Sequence, residues 1–451
     1  FPGTIIIPTS SLKISSSGET KSKEIVFFIN YATSASSFLA FSIASSITST
    51  VESSVTKILC SSLEELPIIN PTLSKSSEIA LGIQLSKIFS TLLIFITNII
   101  HCKYNIIFQV MKKLKILLYP ISLIYGFIVG IRNILFDIGV FDSKVYKIPT
   151  IGLGNLSVGG TGKSILVDYL INLFKSNYNI TTLSRGYNRD TKGFVHANSK
   201  STAYEIGDEP FQFYSKHPEI NVVVCEDRRK GMNIILKNLP QTDICIWDDI
   251  YQHRFVKPGL MILTTTFDEP YIKDKILPVG KLRESISSSK RADIILINKC
   301  PENISNLQRE KFTNSINLVE HQKVYFSSLT YSEKIKSKST FINVKELEKK
   351  DFILVTGIAD SSYLVKFLKD RNLSFTHLKY KDHYNYSISS IDKIKRISQG
   401  KHILTTEKDF GKLKLKIDSD NLFYIEVSVK FLNDSNELGF DQLIKKYVEE
   451  N

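Results

Sequence analysis

From residue 148 onward, apolar residues come in short blocks separated by stretches of helical pattern. Residues 148–153 form one block that runs into a glycine-rich turn, and 165–174 then repeat apolar side chains at helical spacing. Residues 180–183, 222–225, 244–247, 260–263 and 294–297 are brief apolar runs with polar bounds, the pattern of strands buried on both faces. Helical patterning covers 210–216 and 230–239. The alternation predicts an α/β fold, a mostly parallel sheet with helices on both faces. A fresh strand and turn at 352–357, a helix-like 363–369, a strand near 375–379 and a strand, turn and helix from 403 predict a smaller α/β domain at the C-terminus.

Upstream the pattern changes. Residues 116–131 are uncharged, preceded by Lys112, Lys113 and Lys115 and followed by Arg132 and Asp137. Sixteen residues at helical rise cover about 24 Å, short of the roughly 30 Å hydrocarbon core of a bilayer, and Pro120, Gly126 and Gly130 weaken the segment. The expectation is a helix lying in the membrane interface, its lysines meeting anionic head groups. Residues 1–110 hold no Met, Asp, Arg or Trp and are crowded with Ser, Thr and Ile; the first methionine is Met111. They are expected to be a low-complexity extension rather than part of the native protein. The expected division is 1–110 extension, 111–140 membrane-associating helix, 141–340 main α/β domain and 341–451 smaller domain.

Composition narrows the partners. A formal charge of +13 over 451 residues points to an anion: nucleic acid, a membrane surface or a phosphorylated substrate. The basic residues are spread along the chain and no nucleic-acid motif appears, so nucleic acid is not expected. Cys60, Cys102, Cys225, Cys245 and Cys300 show no C-x-x-C pairing, which implies neither a zinc site nor a disulfide framework.

The turn after residue 153 carries the sharpest chemistry. Gly154, Asn155, Ser157, Val158, Gly159, Gly160, Thr161, Gly162, Lys163 and Ser164 lie between a strand pattern and a helix pattern, the grammar of a phosphate-binding loop. Backbone N–H groups and the helix N-terminus would cradle an anion, Lys163 would reach the outer phosphates, and the Ser164 hydroxyl could ligate Mg²⁺. The usual pattern has glycine where this chain has Ser157. Guanine specificity would want an aspartate that Asn298-Lys299-Cys300-Pro301 lacks.

Ligands of such sheets sit at the carboxyl ends of strands. Ser184-Arg185-Gly186-Tyr187, Glu226-Asp227-Arg228-Arg229 and Asp248-Asp249 each follow an apolar run. Asp248 and Asp249 are placed to hold Mg²⁺, or to form a simple turn or cap. Gly207-Asp208-Glu209-Pro210 reads equally as a helix start, and His383 alone as a surface or packed histidine.

Taken in order, the loop at 154–163, Ser184–Tyr187, Gly207–Pro210, Asp248-Asp-Ile-Tyr-Gln-His-Arg254, Leu277-Pro-Val-Gly-Lys-Leu-Arg-Glu284, Asp382-His-Tyr384 and Thr405-Thr-Glu-Lys-Asp409 resemble the tetraacyldisaccharide 4'-kinases, the lipid A kinases. The resemblance runs from about Met111 to the C-terminus. It implies a P-loop fold, ATP and Mg²⁺, and transfer of the γ-phosphoryl group to the 4'-hydroxyl of a tetraacyldisaccharide 1-phosphate. It also implies action at the cytoplasmic face of the bacterial inner membrane, as a peripheral or monotopic protein on anionic phospholipid, with no obligate protein partner. By the same resemblance Asp208 is the general base paired with His383. Lys163, Asp248 and Asp249 form the catalytic centre, with Ser164, Asp248 and Asp249 on the metal. Arg185, Arg228, Gln252, His253, Arg283 and Glu284 contact substrate. The family has glycine and phenylalanine where this chain has Ile250 and Tyr251. Were that glycine at positive φ, isoleucine would be strained by ~1–3 kcal/mol. A membrane-attached nucleotide-binding regulator is the alternative from another class.

Overall fold

β-branched residues and leucines in runs too short for helices make the strands of one mixed sheet. The structure is a computed structural model that describes residues 117–348, 350–432 and 438–451. The segment 1–110 and Lys112, Lys113 and Lys115 lie outside the described residues. Leu123–Asn451 form one unit; of the unit before it, only 117–122 are described.

The strands on the P-loop side are β1 (Thr150–Gly154), β2 (Ile180–Ser184), β3 (Val195–His196), β4 (Asn221–Val224), β5 (Ile244–Trp247), β6 (Leu260–Thr266) and β7 (Ile294–Asn298). Then come β8 (Lys323–Lys336), β9 (Phe341–Asn343), β10 (Phe352–Thr356), β11 (Phe375–Lys379), β12 (Ile403–Thr406) and β13 (Leu422–Phe431). Their spatial order is β11-β10-β12-β13-β8-β7-β6-β1-β5-β2-β4-β3, with β9 on β8. β1 lies between β5 and β6; β2 to β5 lie on one side of it and β6 to β8 on the other, so the chain changes sides between β5 and β6. This is the switch point at which parallel α/β sheets bind ligands.

The helices are α1 (Tyr119–Asp137), α2 (Lys163–Phe174), α3 (Ala203–Ile206), α4 (Asp208–Lys216), α5 (Arg228–Asn238), α6 (Asn306–Ser315), α7 (Ser362–Lys369), α8 (Ile388–Ser398), α9 (Glu407–Leu413) and α10 (Phe440–Glu449). They cover both faces as expected. Leu166, Leu170 and Phe174 of α2 pack with Ile151, Leu153 and Ile246, whereas Met232 and Ile235 of α5 pack with Leu183, Val223 and Trp247.

β8 departs from the sequence pattern because it serves two partners. Residues 323–326 pair parallel with β7, and the rest pairs antiparallel with β13 from Ser327 to Lys336. β6 runs past the apolar block read from sequence, since Thr264 and Thr265 are buried with it. α1 likewise outruns its uncharged stretch, because Arg132 and Asn133 find partners in the fold: Arg132 donates to the Gln252 carbonyl and Asn133 to Glu284 Oε2 at 3.0 Å. At this length and composition it is the one helix among the described residues long and apolar enough to cross a membrane.

A buried ionic cluster joins three helices. Asp168 of α2 accepts from Lys216 Nζ (2.9 Å) and His217 Nε2 (2.8 Å), and Lys216 also pairs with Glu407 of α9 at 3.0 Å. Burial works against ionisation of Asp168, but the His217 and Lys216 bonds outweigh it and hold the carboxyl below its ordinary range. Asp168→Ala leaves two buried donors without their acceptor and should lower stability by about 3 kcal/mol in urea denaturation at pH 7. Because the folded pKa is depressed, the deficit should shrink as pH falls below about 4, where the unfolded chain's carboxylate takes up a proton that the folded one still excludes, and vanish below the folded pKa.

Candidate active site

The turn after β1 is fixed by what surrounds it. Gly162 (φ 89°) caps α2, and a Cβ there would sit 2.1 Å from Asn298 Nδ2, an amide that donates to the Thr161 carbonyl at 3.2 Å. Asn298 Oδ1 in turn accepts from Ser327 Oγ at 2.9 Å. Thr161 and Thr264 share a 2.7 Å hydroxyl contact, and Asn155 Nδ2 donates to the Gly159 carbonyl at 3.3 Å. Ser157 needs no left-handed backbone because it forms an antiparallel bridge with Leu282, reinforced by Val158 N–H donating to the Lys281 carbonyl at 2.7 Å. The missing glycine is thus accommodated by pairing with the Leu277–Glu284 loop. No side chain caps the first turn of α2, so its N–H groups remain available to an anion.

Asp248 and Asp249 follow β5. Lys163 Nζ lies 3.2 Å from Asp249 Oδ1, and Arg283 donates to both Asp249 oxygens at 3.2 and 3.1 Å. Burial pushes Asp249 up, but Lys163 and Arg283 outweigh it and bring the carboxyl to about 2. Asp248 goes the other way: burial and then the Asp249 charge push it up to about 7, and its Oδ1 is buried with no hydrogen-bond partner. Asp249, not Ile250, takes the left-handed backbone (φ 48°), a conformation aspartate tolerates. Ile250 therefore carries none of the strain expected for it; it is 1% exposed and packs over Gly152.

The expected substrate contacts divide. Gln252 accepts from Arg283 at 3.1 Å and donates to the Asn155 carbonyl at 2.9 Å, tying the acidic turn to the loop. His253 is brought to about 4 by burial and then by Arg228, so it is neutral. Arg185 is exposed after β2. Arg228 and Glu284, by contrast, are 2% and 1% exposed. Arg228 donates to the Asp248 carbonyl from beneath at 3.2 Å, and Glu284 binds Asn133 and Arg291. These two brace the site rather than face its opening. α1 takes part in the bracing, with Tyr125 Oη donating to the Arg283 carbonyl at 3.0 Å.

Asp208 opens α4, where the helix N-terminus favours a carboxylate. Gly207 (φ 94°) allows this, because a Cβ would lie 3.2 Å from Gly186, pressing the two motifs together. His383 Nδ1 meets Asp208 Oδ2 at 2.8 Å, so residues far apart in sequence form the expected pair. Glu209 is near enough to Asp248 to raise it, which brings this pair toward the acidic turn. Two lysines given no role from sequence complete the cluster: Lys412 Nζ lies 2.7 Å from Asp208 Oδ2, and Lys408 Nζ, within the Thr405–Asp409 motif, lies 3.0 Å from His383 Nε2. Their signal was positional, since a helix beginning at Glu407 puts i and i+4 on one face. The Asp208–His383 bond raises His383, partly opposed by burial and Lys408.

Beside the loop opens a cleft of about 1640 Å³. Its walls include Val158, Gly160, Lys299, Asp360, Tyr363 and Arg371.

A phosphate-binding loop at a sheet switch point, with acids at the next strand and a carboxylate–histidine pair nearby, defines a P-loop phosphotransferase. Residues 114–449 match the family model described as tetraacyldisaccharide-1-P 4'-kinase, and the chain belongs to that family. It is 43% identical over 341 residues to the tetraacyldisaccharide 4'-kinase of Flavobacterium psychrophilum, covering 75% of this chain and 98% of the relative. The enzyme of the same name from Bacteroides thetaiotaomicron is 38% identical, over 74% of this chain and 93% of its own. The crystal structure of LpxK from Aquifex aeolicus in complex with ATP is similar at a TM-score of 0.60 and 29% identity, covering 75% of this chain and 99% of that one.

Gly162→Ala should weaken ATP binding by roughly tenfold or more, since a left-handed alanine costs ~1–3 kcal/mol and its methyl displaces Asn298. Isothermal titration checks this, and an unchanged circular-dichroism spectrum should accompany it.

Proposed function

We propose a division of labour for the reaction of this family, phosphorylation of the 4'-hydroxyl of tetraacyldisaccharide 1-phosphate by ATP. The carrying observation is the meeting of Asp208 and His383 beside Glu209, whose charge is felt at Asp248. The loop N–H groups and Lys163 bind the β- and γ-phosphates, and the nucleoside extends into the cleft bounded by Lys299 and Tyr363. Asp208 stays ionised and accepts the sugar hydroxyl proton, while His383, donating from Nδ1, orients it. Arg283, held against Asp249 and Gln252, offsets charge on the transferring group. Arg185, exposed at the mouth, meets the lipid-linked sugar, and Arg228 and Glu284 act from behind.

Mg²⁺ fits this site. Asp248 carries a buried oxygen with no partner and a carboxyl pushed up to about 7, a charge that a neighbouring dication would stabilise. Ser164, Asp248 and Asp249 form the all-oxygen donor set such an ion takes. When bound, it supplies charge neutralisation at the phosphates.

α1 serves as the membrane contact. Leu123, Ile124, Phe127, Ile128, Ile131 and Ile134 are exposed, whereas Tyr125, Arg132 and Asn133 bind the catalytic loops. A helix crossing the bilayer would pull those polar side chains from their partners. The two-sided arrangement favours a helix lying in the interface on the cytoplasmic leaflet, so the enzyme meets a four-chain lipid without extracting it. In the division into 141–340 and 341–451, the first part carries the phosphate loop and Asp208 and the second carries His383 and Tyr363.

With radiolabelled ATP and tetraacyldisaccharide 1-phosphate, Lys163→Ala and Asp208→Asn should each lower turnover by roughly 100-fold or more. Near-normal turnover in Asp208→Asn would remove it as the base, and ATP hydrolysis without labelled lipid would favour a regulator. The combined Leu123→Ser, Ile124→Ser and Phe127→Ser variant should lose co-sedimentation with vesicles containing phosphatidylglycerol; undiminished co-sedimentation would reject α1 as the anchor.

A further inference from the structure

We infer that Lys412 is a positioning residue for the proposed base, fixing the Asp208 carboxylate so that Oδ1 alone is left for the acceptor hydroxyl. This rests on Asp208 acting as base. The geometry is convergent: Lys412 Nζ at 2.7 Å and His383 Nδ1 at 2.8 Å both meet Oδ2. Among the described residues Oδ1 receives no hydrogen bond. Two donors on one oxygen stop the carboxylate from rotating and direct the lone pairs of the other outward.

Lys412 is suited to this by its surroundings. Its side chain is 9% exposed, its other contact is the Tyr384 carbonyl at 3.4 Å, and Asp208 is its ion-pair partner among the described residues. Its ammonium is therefore concentrated on one carboxylate in a poorly solvated place, where charge acts strongly. Lys408 cannot substitute. Its ammonium faces His383 Nε2 at 3.0 Å, Asp382 at 3.2 Å and Glu209 at 3.4 Å. An ammonium only donates, so in the neutral ring Lys408 favours Nε2 as the acceptor and the proton on Nδ1, facing Asp208, while Glu209 at 3.5 Å and Asp382 at 3.8 Å from Nε2 favour the doubly protonated ring. One lysine thus acts on the histidine, and the other holds the carboxylate.

The charged groups around Asp208 are His383 after β11, Lys412 and Lys408 on α9, and Glu209 beside it on α4, with Asp382 facing Lys408. Burial alone would raise Asp208; His383 and Lys412 outweigh it and hold it below the usual carboxylate range. Removing the ammonium should therefore raise the Asp208 pKa and move the acid limb of the rate profile upward.

The test is the pH dependence of kcat for the full chain with ATP and tetraacyldisaccharide 1-phosphate, in Lys412→Met, Lys412→Gln and Lys412→Arg. In the two neutral variants the acid limb of kcat should be displaced upward by about one pH unit, so that the deficit is largest, roughly tenfold, at the foot of that limb and narrows as pH rises. KM for ATP should stay within about twofold, because the nucleotide site is untouched. Lys412→Arg should restore most of the rate and the limb. Should Lys412→Met fail to give a cooperative thermal transition, Lys412→Gln, which keeps a donor, carries the comparison. A loss equal at every pH, or an unmoved limb, overturns the inference while an inactive Asp208→Asn leaves the base assignment standing. An active Asp208→Asn overturns both.

Discussion

Two adjacent carboxylates at the tip of a buried strand cannot share one electrostatic fate, and much of this structure follows from keeping Asp248 and Asp249 side by side. Asp249 is stabilised by Lys163 from the phosphate loop and Arg283 from the Leu277–Glu284 loop. Asp248 has Arg228 only at its backbone and stays poorly satisfied. The cost of burying the pair is met by cations from separate parts of the chain, so the loop, the acidic turn and the Arg283 segment must assemble together. Gln252, bonded to both Arg283 and Asn155, closes that circuit.

α1 is bound into the same circuit. Tyr125, Arg132 and Asn133 attach to Arg283, Gln252 and Glu284, so the helix proposed as the membrane contact shares supports with the phosphate loop. On the far side, Asp168 on the loop's own helix is joined through Lys216 to Glu407, the residue before Lys408. The site is therefore held from three directions by polar contacts rather than by one wall of apolar packing.

The sheet and the phosphate loop were legible because their signals are local. An apolar run, a glycine turn and a helical repeat stand next to one another in sequence. Asp208 and His383 were legible only through the ordered motif set, since neither stands out by itself and their contact joins residues 208 and 383 across the fold. Lys408 was quoted only as part of the Thr405–Asp409 motif and Lys412 not at all, because lysine is common in this chain and its meaning depended on which helix face it shares. Arg228 and Glu284 were expected at the substrate only through the family resemblance, and their burial, at 2% and 1% exposure, is a property that the motifs alone do not display. The left-handed backbone considered for Ile250 falls one residue earlier, on Asp249, which tolerates it. β8 was missed because its two halves answer to different neighbours and share no single periodicity.

That divided strand has a mechanical consequence. Where two halves of an enzyme are joined by a free linker, either can swing while the other stays still. Here the bond between halves is the seam near Ser327, at which β8 changes partners from β7 to β13. Ser327 is also hydrogen-bonded to Asn298, the amide beneath the phosphate loop. Any excursion that lifts His383 and Lys412 away from Asp208 must flex or shear this ladder, and the disturbance arrives at the floor of the nucleotide site. The strand that joins the two halves thus ends its parallel run next to the residue that supports the amide under the phosphate loop.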